Sequence, residues 1–362
     1  MSHFNKKSSK IYSVGTYLPT QIVKSIDLFE SFKSDARYGI STSWMDDEMG
    51  ICERRMSDGA EKPSSLAINA AKQAIAECTD LNLEHIDMVL FCGIERDQPE
   101  PATAHTVQNA LGLHAQHVFD VANACFGFVD GIEIASRFIE AGVIRKALIT
   151  TGEVPTRLIP SFLKQLQGNL SRKEALKLLG WLSVGDAGGA VIMGDGEDER
   201  DSAAGFRVFN NQADSSHVDK CTYYKKDDGE YEGKMDMGRI VAHGLKMHRN
   251  LLSETLSMVG WDRFDWLISH QTGRRNFDQI EKMNEVGADR MIRTYPLLGN
   301  ITTATFAISY QQLLNRPEIQ RGDRIGGFFF WNWIDCRPIL LHVLATKPVE
   351  LYGLYRLYHN VW

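Results

Sequence analysis

The feature that most constrains the fold of this chain is a pattern of strands and helices that occurs twice. In the first half, a short apolar run beginning at Asp87 leads, 38 residues later, to Cys125 and a helix-like segment. In the second half, an apolar run beginning at Asp265 leads, 35 residues later, to Asn300 and another helix-like segment. Continuous apolar runs that alternate with helices are typical of strands buried in a mainly parallel sheet. The sequence therefore predicts a duplicated α/β architecture, with Cys125 and Asn300 at equivalent strand-to-helix corners and a site between the halves.

Cys125 is the candidate nucleophile of this site. It follows a strand-like run over residues 118–122 and precedes a helix-like segment that reaches about Ala141. A helix N-terminus offers unpaired N–H donors and partial positive charge, so we expect a lowered thiol pKa there. An arbitrary cysteine is more often a small buried apolar residue, and the assignment therefore depends on its context.

Two further residues supply that context. His270 stands immediately after the apolar run of the second half, and Asn300 stands at the predicted second corner. Cysteine can accept an acyl group as a thioester, while His and Asn side chains can donate hydrogen bonds to a thioester carbonyl that becomes an enolate or oxyanion. The three residue types together predict acyl chemistry.

Four other segments carry local predictions. A helix is predicted over residues 65–78, with Ser64 as its N-cap. Residues 41–55 contain a cluster of charged side chains and are interpreted as a solvated loop. A Leu- and Lys-rich pattern over residues 154–180 predicts an inserted helical cap, and residues 195–235 are interpreted as a surface excursion at the seam between the halves.

Composition excludes several classes of protein. The 362 residues are 43% hydrophobic and 24% charged, which is ordinary for a globular protein. The net charge of −6 lacks the excess of positive charge that is typical of nucleic-acid-binding proteins. The polar N-terminus lacks the apolar core of a signal peptide, and no apolar run approaches the ~20 residues that span a bilayer. Six dispersed cysteines form no Cys-x-x-Cys pair, so neither a disulfide framework nor a metal site is indicated. We expect a cytoplasmic protein with reduced thiols.

Motifs along nearly the whole chain resemble those of the ketoacyl synthase III family of the thiolase superfamily, the condensing enzymes that initiate fatty acid synthesis, and their relatives in secondary metabolism. Together and in this order the motifs are highly specific. In chain order they are Gly15-Thr16-Tyr17-Leu18-Pro19, Trp44, Gly50-Ile51-Cys52-Glu53-Arg54-Arg55, Pro101-Ala102-Thr103-Ala104, the segment around Cys125, Thr151-Gly152-Glu153, Gly185-Asp186-Ala187-Gly188-Gly189-Ala190, His270-Gln271 and Gly299-Asn300.

The resemblance implies a thiolase-like α/β fold, in which two duplicated βαβαβαββ halves form a five-layered α-β-α-β-α architecture. The N-terminal half would span residues 1–200 and carry the nucleophile and the cap insertion at 154–180. The C-terminal half would span residues 201–362 and carry the His and Asn. The resemblance also implies a homodimer.

The activity implied by the resemblance is that of a β-ketoacyl-acyl-carrier-protein synthase III-like acyltransferase. Cys125 matches the acylated nucleophile, while His270 and Asn300 match the pair that drives decarboxylation of a malonyl-type thioester. The product is then a 3-ketoacyl thioester, formed by decarboxylative Claisen condensation. The substrates are thioesters of coenzyme A or acyl carrier protein, and no cofactor is implied.

Four residues are expected to bind the substrate or its carrier. Arg275 matches a basic position used in docking acyl carrier protein, and Trp44 is a further binding candidate. Phe330 and Trp331 lie in an aromatic stretch that replaces the family's Gly-rich closing loop, and we expect them to reshape the acyl pocket.

Two departures from the family pattern keep alternatives open. Gly273 replaces an asparagine three residues after the histidine, and Glu48 replaces an arginine that grips coenzyme A. The departures favour a specialised acyl donor, and carrier-bound acyl groups are among the candidates. The first alternative function is acyl transfer to an oxygen or nitrogen acceptor, or thioester hydrolysis, without condensation. The second is a non-catalytic partner subunit of a heteromeric synthase.

Overall fold

The computed structural model describes residues 9–78, 82, 85–195, 205–331 and 335–342. The strands, in chain order, are β1 (Ser9–Tyr17), β2 (Gln21–Lys24), β3 (Glu53–Met56), β4 (Ile86–Cys92), β5 (His117–Val121), β6 (Lys146–Glu153), β7 (Ala187–Asp195), β8 (Gly205–Phe209), β9 (Gln212–Ala213), β10 (Cys221–Lys225), β11 (Tyr231–Met235), β12 (Trp266–Ser269), β13 (Arg324–Trp331) and β14 (Asp335–His342). The helices are α1 (Ser25–Ser31), α2 (Ser34–Tyr38), α3 (Trp44–Met49), α4 (Pro63–Glu77), α5 (Thr103–Ala110), α6 (Gly127–Glu140), α7 (Ile159–Leu166), α8 (Arg172–Leu178), α9 (Met237–Val259), α10 (Arg274–Asn284), α11 (Tyr295–Leu298) and α12 (Thr305–Leu314).

The first sheet has the strand order β1-β7-β6-β4-β5. Strand β4 runs parallel to both β5 and β6, whereas β7 runs antiparallel to both β6 and β1. The prediction of a mainly parallel sheet was wrong, because a continuous apolar run marks a strand as buried without revealing its direction. The sheet is mixed.

The second sheet repeats this order. It runs β8-β14-β13-β12, with β9 paired to the end of β14, and only the β12–β13 pair is parallel. Beyond β12 a single parallel bridge joins Leu267 to Met291, in the position that β5 occupies in the first sheet. The duplicated α/β fold is confirmed. The division of the chain at residue 200 stays a prediction, although the strands of the first sheet precede it and those of the second follow it.

Helices separate and cover the two sheets in five layers. Helix α4 packs against β1, β6 and β7, and α5 against β4 and β5, on the outer face of the first sheet. Helices α6 and α12 lie between the sheets: α6 packs on β4 and β6, and α12 contacts both β7 and β12. Helix α9 packs on the outer face of the second sheet, beside α10. The middle layer therefore carries both helices that follow the candidate site residues.

The start of α4 differs from the prediction. The helix begins at Pro63, whose fixed φ suits a first turn, and its N-cap is Lys62. Ser64 lies inside the first turn, where its hydroxyl donates to Asp97 at 2.6 Å instead of capping the helix.

Residues 41–55 do not form the predicted solvated loop. They contain helix α3 and the start of β3, and Arg54 is fully buried. Its guanidinium donates to the carbonyl oxygen of Leu182 and to the hydroxyl of Ser25, both at 2.9 Å, and burial lowers the pKa of Arg54 to about 10. A charged side chain can be buried where oxygen acceptors surround it, and a cluster of charges in the sequence conceals this.

The inserted cap forms two helices, α7 and α8, and a hairpin from the predicted surface excursion packs onto it. Strands β10 and β11 are antiparallel, and β11 contacts both cap helices. Trp181 stacks on Phe162 at 4.8 Å between ring centroids and meets Tyr223 of β10 edge-on at 5.6 Å. The hairpin of β10 and β11 is therefore packed against the rest of the protein and is not a solvated excursion, because its aromatic residue Tyr223 contacts the buried Trp181.

Asp186 ties the cap to the first sheet. Its carboxylate is fully buried and accepts hydrogen bonds from the backbone N–H and the hydroxyl of both Ser57 and Thr156, over 2.6–3.0 Å. Thr156 lies in the turn that begins the cap insertion.

Removal of this carboxylate is expected to destabilise the whole chain. Asp186→Ala leaves four donors without their acceptor, the two of Thr156 buried and the two of Ser57 half-buried, and we expect the free energy of unfolding to fall by about 3 to 5 kcal/mol. Ser57→Ala, which removes one donor, should cost only about 1 kcal/mol. Urea unfolding measures both values, and equal losses in the two variants would contradict the role given to Asp186.

No helix among the described residues is long and apolar enough to cross a bilayer.

Candidate active site

Cys125 lies at the predicted corner between β5 and α6. It is a free thiol, buried to 4% exposure, two residues before the first residue of α6. Ala124 adopts a left-handed conformation with φ +44°, so the chain turns sharply just before the cysteine. The backbone N–H of Phe126 donates to the carbonyl of Asn123 at 3.0 Å and closes the turn.

The expected lowering of the thiol pKa is not found. Burial raises the pKa of Cys125 well above its ordinary value, and the nearby Glu153 carboxylate adds to the effect. A backbone N–H acts in the opposite direction but contributes less than burial. The resting cysteine is therefore a neutral thiol.

Asn300 occupies a corner that differs from the prediction. The chain reaches it from the short helix α11 and Gly299 rather than from a strand. Its backbone bridges to the first half, because its N–H donates to the carbonyl of Ser183 at 2.8 Å and its carbonyl accepts from Gly185 at 3.1 Å. Gly299 has φ +66°, and a Cβ there would lie 2.4 Å from the Ser183 oxygen, so only glycine fits.

His270 follows β12 directly and is buried to 1% exposure. Its backbone N–H donates to the carbonyl of Phe328 on β13 at 3.1 Å, which holds the backbone of His270 at the end of the sheet. Burial lowers the pKa of His270 to about 3. The imidazole is therefore neutral near pH 7, with one ring nitrogen able to donate and the other able to accept.

The segment from Asn300 to Thr305 connects these residues. The Oδ1 atom of Asn300 accepts from the N–H of Thr302 at 3.1 Å. The hydroxyl of Thr305 donates to the carbonyl of Thr302 at 2.8 Å and lies 3.5 Å from Nδ1 of His270. The structure thus brings His270 and Asn300 to one short stretch of chain.

The same segment reaches the surroundings of Cys125 through Glu153. The hydroxyl of Thr303 donates to Oε1 of Glu153 at 2.5 Å, and the N–H of Ile94 donates to the same oxygen at 3.0 Å. Behind it, the rings of Phe128 on α6 and Phe306 on α12 lie 6.0 Å apart. All three candidate residues therefore lie around the junction of the two middle helices.

Sequence reasoning did not single out Glu153 as part of this site. It ends the buried strand β6 and is 1% exposed, and burial raises its pKa to about 8. The available signal was an acidic residue at the end of an otherwise apolar run.

The raised pKa of Glu153 predicts a pH-dependent stability. Between pH 6.5 and 8 the folded protein holds a proton on Glu153 that the unfolded chain, with a pKa near 4.5, has released. The free energy of unfolding should therefore fall as the pH rises through this window, by about 2 kcal/mol. Glu153→Gln keeps the acceptor for Thr303 and cannot titrate, so its unfolding free energy should lack this slope.

Two buried histidines affect the stability of the protein at lower pH. Burial lowers the pKa of His248 to about 4 and that of His270 to about 3, so both oppose folding below the unfolded value of 6.5. Their effect destabilises the protein as the pH falls below 6.5 and vanishes above it. At pH 6.5 these histidines are still half protonated in the unfolded chain, so the difference in slope between wild type and Glu153→Gln, measured by urea unfolding at pH 6.5 and 8, isolates Glu153. An unchanged slope in the variant would refute the assignment.

A cavity of about 310 Å³ opens beside the strand end that carries His270. Its walls come from α3, α9 and the start of α10, and include Glu48, Met49, Val241, Gly273, Arg275 and Asn276. Gly273 has φ +131°, a conformation for glycine, so the asparagine of the family cannot occupy this position without rearrangement.

The predicted binding residues are distributed unevenly around this cavity. Arg275 lines it, and its guanidinium forms an ion pair with Glu48. Trp44 begins α3 but is not among the lining residues; its ring stacks on Phe29 at 6.1 Å between centroids. Phe330 and Trp331 end β13, and their side chains lie outside the described part of the structure.

A metal centre is not formed by the described residues: within them, no group of three or more His, Cys, Asp or Glu side chains is placed to hold an ion.

Two family models match the chain at the regions that build this site. The model of 3-oxoacyl-[acyl-carrier-protein] synthase III matches residues 119–166, which contain Cys125 and Glu153. The model of the C-terminal part of the same synthase matches residues 257–327, which contain His270 and Asn300.

Curated relatives align over most of the chain. The β-ketoacyl-[acyl-carrier-protein] synthase III of Alkalilimnicola ehrlichii is 26% identical over 341 residues, covering 90% of this chain and 97% of the relative. The synthase of the same name from Rhodospirillum centenum is 27% identical over 338 residues, with the same coverage.

Solved structures share the fold. The chain superimposes on cerulenin-bound OleA from Xanthomonas campestris with a TM-score of 0.86 at 23% identity, covering 95% of this chain and 99% of OleA. A substituted form of the same OleA, with bound lauric acid and lauroyl-CoA, gives a TM-score of 0.84, also at 23% identity, over 93% of this chain and 99% of OleA. The architecture is the thiolase fold.

Proposed function

Because the chain is a divergent member of the 3-oxoacyl-[acyl-carrier-protein] synthase III family, and with it a condensing-type acyltransferase, we propose that it joins an acyl group to a malonyl-type thioester with loss of CO2. The observation that carries the proposal is the stretch from Asn300 to Thr305, which contacts His270 and bonds to the glutamate beside Cys125. One short segment thus connects the surroundings of the proposed nucleophile, Cys125, with the two hydrogen-bonding side chains, His270 and Asn300.

The first step loads the enzyme. The sulfur of Cys125 attacks the carbonyl carbon of the acyl thioester, a new C–S bond forms, and the donor's C–S bond breaks. The thiol proton leaves on the donor's sulfur, so the step creates no net charge. This balance suits Cys125, because burial raises its pKa and disfavours a resting thiolate.

The second step condenses two acyl groups. The malonyl-type thioester loses CO2 and becomes an enolate, whose oxygen accepts hydrogen bonds from His270 and Asn300. The enolate carbon attacks the acyl group on Cys125, the C–C bond forms, and the cysteine leaves as a thiolate that takes up one proton. A neutral imidazole can donate to the enolate oxygen, and the lowered pKa of His270 keeps the ring neutral.

The donor is proposed to be a thioester of coenzyme A or acyl carrier protein. Lauroyl-CoA is bound in a structure of OleA, which shares this fold. Glu48 stands where the family has an arginine that grips coenzyme A, and its ion pair with Arg275 offsets the negative charge of its carboxylate. Both carriers therefore belong in the test.

The deciding experiment supplies the protein with acyl thioesters of graded length on both carriers, together with a malonyl thioester carrying a labelled free carboxyl group. We expect labelled CO2 and a 3-ketoacyl product that is two carbons longer than the donor acyl group. Acylation of Cys125 with no labelled CO2 would overturn the condensation.

A second candidate function is acyl transfer without condensation. Gly273 favours it, since its φ of +131° excludes the asparagine that the family places there. In the same experiment this function gives a free acid or an acylated oxygen or nitrogen acceptor, and leaves the malonyl thioester intact.

We also propose that two copies of the chain form a homodimer, as the family resemblance implies. Sedimentation of the purified protein should give twice the mass of one chain. A monomer that condenses acyl groups only after a paralogous chain is added would favour the partner-subunit alternative.

A further inference from the structure

Glu153 is a buried titratable group that the two proposed steps do not use. It ends β6 and is 1% exposed. Strands β4, β5 and β6 run parallel to one another, so their carboxyl ends meet at one edge of the first sheet. Glu153 therefore lies at the same edge as Cys125, which follows β5.

The loop after β4 lies against both residues. The N–H of Ile94 in this loop donates to Oε1 of Glu153 at 3.0 Å. A Cβ added to Gly127, the first residue of α6, would lie 3.8 Å from the nitrogen of Gly93 in the same loop. Cys125 precedes Gly127 by two residues, and the charge of Glu153 raises the pKa of its thiol. The carboxyl group and the sulfur are therefore neighbours.

The carboxyl group of Glu153 is held in its neutral form at pH 7. Burial raises its pKa to about 8, and the charges of Glu95 and Asp186 act in the same direction. The hydrogen bonds from Thr303 and from the N–H of Ile94 lower the pKa, but burial outweighs them. Both of these bonds are made to Oε1, so the proton of the neutral acid belongs on Oε2.

The condensation step requires a proton at the sulfur of Cys125, because the cysteine leaves the acyl group as a thiolate. Burial raises the pKa of this thiol well above its ordinary value, and thus above the value of about 8 at Glu153. Transfer of a proton from the carboxyl group to the thiolate is therefore favourable. Tyr223 of β10 also lies near both groups, but burial raises the pKa of its phenol above the ordinary value. It is a weaker acid than Glu153.

We propose that Glu153 is the proton donor to Cys125 in the condensation step. As the C–S bond of the acyl-enzyme breaks, the carboxyl O–H bond breaks and an S–H bond forms on the cysteine. The negative charge left by decarboxylation thus passes from the enolate to the sulfur and then to the carboxylate, which regains a proton from solvent. The inference rests on the proposed function, because it requires that Cys125 is released from an acyl-enzyme by an enolate.

The test follows a single turnover from a preformed acyl-enzyme. Each protein is first loaded with the acyl thioester of the graded series that acylates Cys125 best, and intact mass verifies the adduct. A malonyl thioester on the same carrier is then added at pH values from about 6.5 to 9.5, and the 3-ketoacyl product is measured by rapid quench. The acylated sulfur cannot titrate, and the pKa of His270, about 3, lies outside this range. A fall in rate near pH 8 therefore reports Glu153.

The wild-type rate is expected to fall about tenfold per pH unit above pH 8, because only the protonated carboxyl group can donate. Glu153→Gln has no acidic proton, so it should be about 10²-fold slower at pH 7 and should lack this fall. Thr303→Val removes a hydrogen bond that lowers the pKa of Glu153, so the fall should move to higher pH. Loss of a purely structural contact would not move the midpoint in this direction.

Glu95→Gln is the matched control, since Glu95 is a half-buried carboxyl group near Glu153 and lies 3.9 Å from the guanidinium of Arg157. It should keep the fall, with a midpoint at or below that of wild type. A level wild-type rate from pH 7 to 9.5, a wild-type profile in Glu153→Gln, or a midpoint in Thr303→Val that is not above that of wild type would overturn the inference. Failure of the proposed function looks different: the wild-type acyl-enzyme then gives no 3-ketoacyl product at any pH.

Discussion

Replacement of Cys125 by alanine is expected to abolish both acyl loading and condensation. The variant lacks the sulfur that would form the acyl-enzyme, so the overall rate should fall by at least about 10³-fold. Intact-mass spectrometry after incubation with an acyl thioester should show the acyl adduct in wild type and none in Cys125→Ala. The same samples, given a malonyl thioester, should release CO2 only from wild type.

Two other thiols supply matched controls for this experiment. Cys92 is buried in β4, and Cys52 is exposed beside Asp46. Cys92→Ala and Cys52→Ala should both retain the acyl adduct, because neither residue lies at the corner before α6. An adduct of wild-type size on Cys125→Ala would mean that another residue accepts the acyl group.

Replacement of His270 by alanine is expected to separate the two steps. Loading needs no charge on the imidazole, so Cys125 should still become acylated in His270→Ala. Condensation should fall by about 10² to 10⁴-fold, because one hydrogen bond to the enolate oxygen is lost. The acyl-enzyme should then accumulate when donor and malonyl thioester are both present, and intact mass measures it directly.

Thr305→Val is the control for indirect effects at this position. It removes the hydroxyl 3.5 Å from Nδ1 of His270 but leaves the ring in place. Its condensation rate should fall far less than that of His270→Ala. Equal losses of loading and condensation in His270→Ala would contradict the separate role given to the histidine.

Much of the fold could be predicted because the buried strands are recognisable in the sequence as short apolar runs. Strands β4, β6 and β12 are short, buried apolar runs, and the residue that follows β12 is His270. The duplicated order of the sheets follows from the repeated pattern. Strand direction could not be predicted, because β7, which runs antiparallel to β6 and β1, has the same apolar sequence character as the parallel strands β4 and β6.

The three candidate residues of the site were chosen from the sequence, but the hydrogen bonds that connect their surroundings were not predicted. Cys125, His270 and Asn300 each stand next to a recognisable element or motif. Glu153 and Thr303 join them through long-range hydrogen bonds, and such contacts leave no periodic trace in a sequence. Buried Arg54 was concealed for a related reason: its acceptors are carbonyl and hydroxyl oxygens rather than a carboxylate near it in the chain.

The backbone bridge between Asn300 and the stretch from Ser183 to Gly185 has a consequence for how the protein acquires its native structure. These partners are more than 100 residues apart in the sequence. Closing so long a loop is entropically costly, so such contacts form late in folding. The position of Asn300 therefore depends on the docking of the second half of the chain onto the loop before β7. We expect a molecule in which the two halves have formed but have not docked to lack a placed Asn300 and to be inactive.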